Sequence, residues 1–559
     1  MSCVGYGMHW TRRVIAAVLL LLCSVVPIEW DGTAAQSTCF VTVADGPVQG
    51  ANLGPSCAFL GIPYADSTAG NNRWRAPQPP SPWSLPLNAT GTPTTCPTVT
   101  VTPGGPVFGG DESCLKLNVW VSNPPPVAPA PVIVWLHTGG FVAASGFFAG
   151  HRGQTLAAET GVIVVAPNYR LGPFGFLAHS ALAAADPSGS SGNYGLLDQQ
   201  AALRWVRDNI AQFGGDPNNV SIAGTSAGGH SVGLQMVSPG SAGLFHRAII
   251  QSAYPTSRWM SDAEAKAQGD AFATALGCTV PADVITCMRS APPTAVLTAL
   301  ALASLEVVER PGRAYWEPSV DGAIIPDQPR ILFESGRFQH VPTIVGFNRD
   351  EGWGSFTSRF ITQSFPSGVN AAQYEGWVMN EFGPYGTSVL DVYPAAGSPI
   401  QTMARLVGDV QFVCEARRIA RAIESSNTPT YLYSYEYVIN DLSPDYVLHG
   451  VEGNILFGNN YIGPLFPVHA LTATDFAVHQ QMAGYWTRFA ASGNPNRGDD
   501  GAFSWPPFNR PDGLGRGNDK YVVLDSSSGE GGRLREAQCD FFEPLFLRSV
   551  LSGVTAGTR

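Results

Sequence analysis

Short apolar runs bounded by Gly, Pro or Asn alternate along this chain with amphipathic stretches. Val132–Leu136, Val162–Ala166, Val220–Ala223, Ala248–Ile250 and Thr343–Val345 are nearly unbroken in apolar character, which predicts strands of a parallel sheet covered on both faces. Between the second and third, Leu203, Val206, Ile210 and Phe213 step by three, four and three before Gly214-Gly215. This predicts an amphipathic helix over 196–213 with a glycine stop. Ser261-Asp262-Ala263-Glu264 opens another helix with a capping box. Strands alternating with helices predict an α/β fold, a large and mostly parallel central sheet with helices on both faces. No internal repeat, low-complexity tract or interdomain linker breaks the pattern, so residues 36–559 read as one domain.

The first 35 residues read differently. Arg12-Arg13 precede the apolar run Val14–Val26, and the small residues Thr33-Ala34-Ala35 follow. That order is the pattern of a secretory signal peptide, and the run is shorter than the roughly 20 residues of a membrane span. Export agrees with cysteine usage. Setting aside Cys3 and Cys23 leaves eight cysteines, an even number that reads as disulfides although spacing alone leaves every pairing open. Asn88-Ala89-Thr90 is a glycosylation sequon in a Pro-rich loop; Asn219-Val220-Ser221 also matches but enters an apolar strand. Composition narrows the partners. With 44% hydrophobic residues the chain is no disordered segment, and a net charge of −11 argues against nucleic acid, which needs a surplus of Lys and Arg on some face.

Gly224-Thr225-Ser226-Ala227-Gly228 follows the predicted strand Val220–Ala223 directly. G-x-S-x-G is the pattern of a nucleophile elbow, in which small flanking residues permit a strained turn that lifts the serine hydroxyl clear of a sheet. The pattern alone is cheap, and Gly229-His230-Ser231-Val232-Gly233 matches it too. Context favours Ser226, because Ser231 falls inside the helix that should follow. A serine nucleophile needs a histidine base and an acid behind it, and spacing does not choose among nine histidines after His9. Backbone N–H groups for an oxyanion are expected from Ala227 and from the loop His137-Thr138-Gly139-Gly140-Phe141, which leaves the strand ending at Leu136.

At these residues the chain resembles the type-B carboxylesterase family, the α/β-hydrolases that include cholinesterases and fungal lipases. The likeness runs through Phe59–Ala65, Glu112–Trp120, Asn168–Leu177 and Gly192–Asp198, in the family's order. It implies an α/β-hydrolase fold. It places the triad acid on Glu351 within Gly346–Gly352, with Asp350 as its neighbour and rival, and the base on His449 within Val447–Glu452, where Glu452 also matches. It further implies disulfides Cys96 with Cys114, Cys278 with Cys287 and Cys414 with Cys539, leaving Cys39 and Cys57 to join adjacent strands.

The resemblance implies a secreted serine carboxylesterase acting on a small ester through Ser226, His449 and Glu351, with Gly139, Gly140 and Ala227 as the oxyanion hole. No cofactor or metal is needed, no membrane anchor is implied, and the oligomeric state stays open. Two departures matter. Thr225 stands where the family signature has glutamate, so His449 should have a less elevated pKa for want of that carboxylate. Thr138 replaces the first glycine of the usual loop and would be strained if that position needs a positive φ. The 17 residues between Cys96 and Cys114 contain no Trp, which removes the usual choline-binding face, and are too few for a large amphipathic lid. A lipase acting on long acyl chains is the nearest alternative; an inactive binding or adhesion protein on the same scaffold is the other.

Overall fold

The protein is described by a computed structural model over residues 39–102, 105–306, 316–353, 365, 368–439, 442–443, 445–460, 469–496, 503–508 and 518–552. The segment read as a signal peptide, residues 1–35, lies outside these.

Each predicted apolar run lies in a strand of one large sheet, except that Val162 stands one residue before its strand. Seven strands run parallel, in the spatial order Ile163–Pro167, Ala130–Leu136, Gly215–Thr225, Arg247–Gln251, Thr343–Asn348, Thr430–Tyr435 and Tyr521–Leu524. Lys116–Ser122, Ser56–Pro63, Gly46–Asn52 and Phe40–Val43 extend one side antiparallel, and Gly529–Gly531 closes the other. The runs are continuous because side chains on both faces are buried. Along Ala130–Leu136, Val132, Val134 and Leu136 enter one core, while Ile133 and Trp135 enter a second on the opposite face. This is the α/β-hydrolase architecture implied by the resemblance.

The helix predicted over 196–213 runs from Tyr194 to Asn209 and tightens into a 3-10 turn over Ile210–Phe213. Gly214 ends it at φ 84°, a left-handed stop that glycine adopts without steric cost. The capping box opens Asp262–Ala275 as expected, with Ser261 and Glu264 bonding each other's backbone N–H. Thr430–Tyr435 carries no aliphatic run, yet all six of its residues are buried; tyrosines with polar tips escape a criterion built on aliphatic runs. Four disulfides form with the implied pairings. One detail differs: Cys39–Cys57 ties the residue before Phe40–Val43 to Ser56–Pro63, strands that are not adjacent but lie on either side of Gly46–Asn52 in the sheet order. Among the described residues no helix is long and apolar enough to cross a membrane.

Candidate active site

The central strand Gly215–Thr225 runs directly into Ser226, and the helix Ala227–Val237 begins at the next residue. Ser226 sits at φ 57°, ψ −123°, a conformation that costs a non-glycine residue on the order of 1–3 kcal/mol. The surroundings hold it there. Its N–H donates to the Gln251 carbonyl at 3.0 Å, and its own carbonyl accepts the His230 N–H at 2.8 Å. The flanking glycines are a steric necessity, since a Cβ would stand 2.6 Å from the Leu136 carbonyl oxygen at Gly224 and 1.9 Å from it at Gly228. Ser231 is buried inside the helix, its hydroxyl accepting from the Gln199 amide at 2.9 Å.

His449 Nε2 lies 3.0 Å from Ser226 Oγ. Its Nδ1 pairs with Glu351 Oε2, and the other carboxylate oxygen of Glu351 accepts the Asn348 N–H at 2.8 Å. Three residues drawn from 226, 351 and 449 thus form one hydrogen-bonded line. The rival acid, Asp350, does not reach the imidazole. It pairs with Arg349 at 2.8 Å and accepts the Val447 N–H at 2.9 Å, so it binds the acid loop to the histidine loop instead. Asn348 Nδ2 adds a bond to the Leu448 carbonyl at 2.7 Å, the His449 N–H reaches the Trp353 carbonyl at 3.3 Å, and Trp353 stacks on Tyr446 at 4.5 Å.

The charges set the behaviour of the imidazole. Burial pulls its pKa down, but the Glu351 carboxylate, by its charge and its hydrogen bond, outweighs burial, and Glu452 adds to the effect, leaving His449 above its ordinary value. Thr225 does remove one carboxylate, yet its hydroxyl donates at 2.8 Å to another. The fully buried Glu452 accepts from Thr225, from Ser252 at 2.8 Å and from Asn348 Nδ2 at 2.6 Å. Burial and the nearby Glu351 raise the Glu452 pKa in turn.

The glycine loop leaves Ala130–Leu136 beside the elbow. Positive φ falls on Gly139 (112°), Gly140 (59°) and Phe141 (61°) and not on Thr138, so the strain expected at Thr138 does not arise. The Gly139 carbonyl accepts from Val142 and Ala143, and a Cβ on Gly139 would stand 2.1 Å from the Ala143 carbonyl oxygen. Ala227, as the first helical residue, has an N–H with no intrahelical acceptor.

Two features had no signal in the sequence. Phe412, in a π-helical turn over Asp409–Val413, places its ring 4.9 Å from that of His449. The loop between Cys96 and Cys114 carries a β-hairpin, Thr98–Thr102 against Gly105–Gly109, and Thr98 Oγ1 bonds the Val142 carbonyl at 2.8 Å, tying this loop to the glycine loop. In comparison with models of protein families, residues 37–542 match the one described as COesterase, carboxylesterase family.

Proposed function

The chain belongs to the carboxylesterase family, and on that premise we propose that this carboxylic ester hydrolase works through Ser226 as nucleophile, His449 as general base and Glu351 as the acid that orients it. The observation that carries the reading is the line Ser226–His449–Glu351, with 3.0 Å between Oγ and Nε2, mounted on a strained elbow. His449 takes the serine proton as Oγ attacks the ester carbonyl, and Glu351 steadies the imidazolium. The N–H groups of Gly139, Gly140 and Ala227 hold the oxyanion. His449 then protonates the departing alcohol, and water activated by the same ring releases the acid.

The Cys96–Cys114 loop is built of antiparallel strands, with no helix among its described residues, which supports a substrate in solution over an aggregated lipid. Four disulfides support export, because such bonds persist in oxidising compartments. Asn88 is exposed and is the proposed glycan acceptor. Asn219 is engaged by Arg247 and the Ala491 carbonyl, which argues against its use.

The test compares purified protein with Ser226→Ala on a short-chain chromogenic ester. The variant is expected to lose at least about 10³-fold in kcat; equal rates would remove Ser226 from the mechanism. A rate that jumps when the substrate aggregates would favour the lipase alternative.

A further inference from the structure

The strand Thr343–Asn348 ends on a buried asparagine that has no part in the chemistry above. Asn348 lies opposite Tyr435 of the neighbouring strand, so the sheet fixes its backbone. Its N–H donates to Glu351 Oε1 at 2.8 Å, and its Nδ2 donates at 2.7 Å to the Leu448 carbonyl and at 2.6 Å to Glu452 Oε2. Leu448 precedes His449, and Glu452 lies in the first turn of the helix Val451–Leu456 just after it. One amide group therefore grips the chain on both sides of the imidazole. Both partners are acceptors, which fixes how the amide is turned. Its Oδ1 is buried and makes no hydrogen bond among the described residues. An unpaired buried carbonyl costs stability, so what this side chain contributes is its two donors.

The contacts continue to the serine. The other oxygen of Glu452 accepts the hydroxyls of Thr225 and Ser252, each at 2.8 Å. Thr225 adjoins Ser226, and Ser252 follows Gln251, whose carbonyl holds the Ser226 N–H at 3.0 Å. Asn348 is bonded directly to Glu351, to the residue before His449 and, through Glu452, to the residue before Ser226. We infer that Asn348 is a positioning residue for ester hydrolysis, its backbone N–H and its amide together holding Glu351, His449 and Ser226 in register. The inference rests on the triad proposed above. Position and charge are coupled here. The titratable groups that face Glu452 are Glu351, His449 and the phenols of Tyr433 and Tyr435, both kept neutral by burial. Burial lowers the pKa of His449, while Glu351 and then Glu452 raise it. An amide donor favours the ionised form of Glu452. Losing that donor weakens the negative charge near the imidazole and loosens the ring from Glu351, and both effects lower the His449 pKa.

The experiment measures kcat, KM and the pH profile of kcat/KM on a short-chain chromogenic ester for the wild type, Asn348→Leu, Glu452→Gln, the double variant and Ser226→Ala. Circular dichroism checks each fold, and rates are expressed per folded molecule. Asn348→Leu keeps the size of the side chain and lacks both donors. It is expected to lower kcat by about 10²-fold, the cost of a misplaced catalytic pair, with KM nearly unchanged, and to move the acid limb to lower pH. Glu452→Gln should move the limb the same way. The double variant should lose less than the product of the two single losses, because both act through one hydrogen bond. Wild-type kcat in Asn348→Leu overturns the inference, as does an unmoved acid limb or a pair of losses that multiply, the behaviour of a merely structural residue. If Asn348→Leu does not fold, Asn348→Ala removes the same donors without bulk and is judged by the same outcomes. Hydrolysis that persists in Ser226→Ala overturns the nucleophile assignment instead, a result independent of the other variants.

Discussion

In the proposed mechanism His449 accepts a proton only while its ring is neutral, so the charges around it translate into the pH at which the enzyme is expected to run. Burial lowers its pKa, and the Glu351 carboxylate, backed by Glu452, more than reverses that, so the pKa stands above 6.5. The acid limb of kcat/KM, which reports the free enzyme, is accordingly expected above pH 6.5, with activity lost as pH falls through it. Glu351→Gln keeps the burial and removes the opposing charge, so the limb should move to lower pH while kcat drops by up to about 10⁴-fold. A pH profile of the variant with an unmoved limb would show that Glu351 does not act on this ring. At this scale Ser226 was legible from its motif and its place after a strand. Choosing Glu351 over Asp350, and His449 over eight other histidines, needed the family likeness, because nothing local distinguishes them. Phe412 was silent: what brings it to the site is a ring far away in sequence, that of His449.

The elements deliver these side chains through close backbone approach. Strand Gly215–Thr225 and helix Ala227–Val237 meet at the elbow, and the strand Ala130–Leu136 passes so near that its last carbonyl oxygen occupies the space a Cβ on Gly228 would need, 1.9 Å away. Gly228→Ala must therefore push helix and strand apart. The expected cost is about 1–3 kcal/mol in stability, read from a denaturant titration, and a fall in kcat on the order of 10²-fold in the molecules that fold, because Ser226 shifts against His449. Wild-type activity in that variant would contradict the account of the elbow. The strands and the capped helix were legible because apolar periodicity and end signals are local. The tyrosine-rich strand Thr430–Tyr435 and the π-turn at Asp409–Val413 were not, since the first is hydrophobic only by its ring faces and the second is decided by packing.

Over the whole molecule, distant segments are fastened where the site depends on them. Cys414–Cys539 closes a separation of 125 residues and joins the helix Cys414–Glu424, which follows Phe412, to the helix Glu536–Ser552. Arg417 pairs with Asp519 and Asp540, and Arg418 with Glu415 and Glu543, around the same junction. Replacing both cysteines by serine is expected to lower stability by about 2–5 kcal/mol, measured as a shift in the thermal or denaturant midpoint; an unshifted midpoint would mean the ion pairs suffice alone. The sequence by itself determined the layered α/β class, the strand order along the chain, the elbow and the serine on it, because each is written in residues adjacent or regularly spaced. Tertiary structure alone decided how Glu351, His449 and Ser226 meet, that Thr138 escapes strain and that Thr225 bonds Glu452. Those are distances between residues the chain holds far apart, and only the folded sheet sets them.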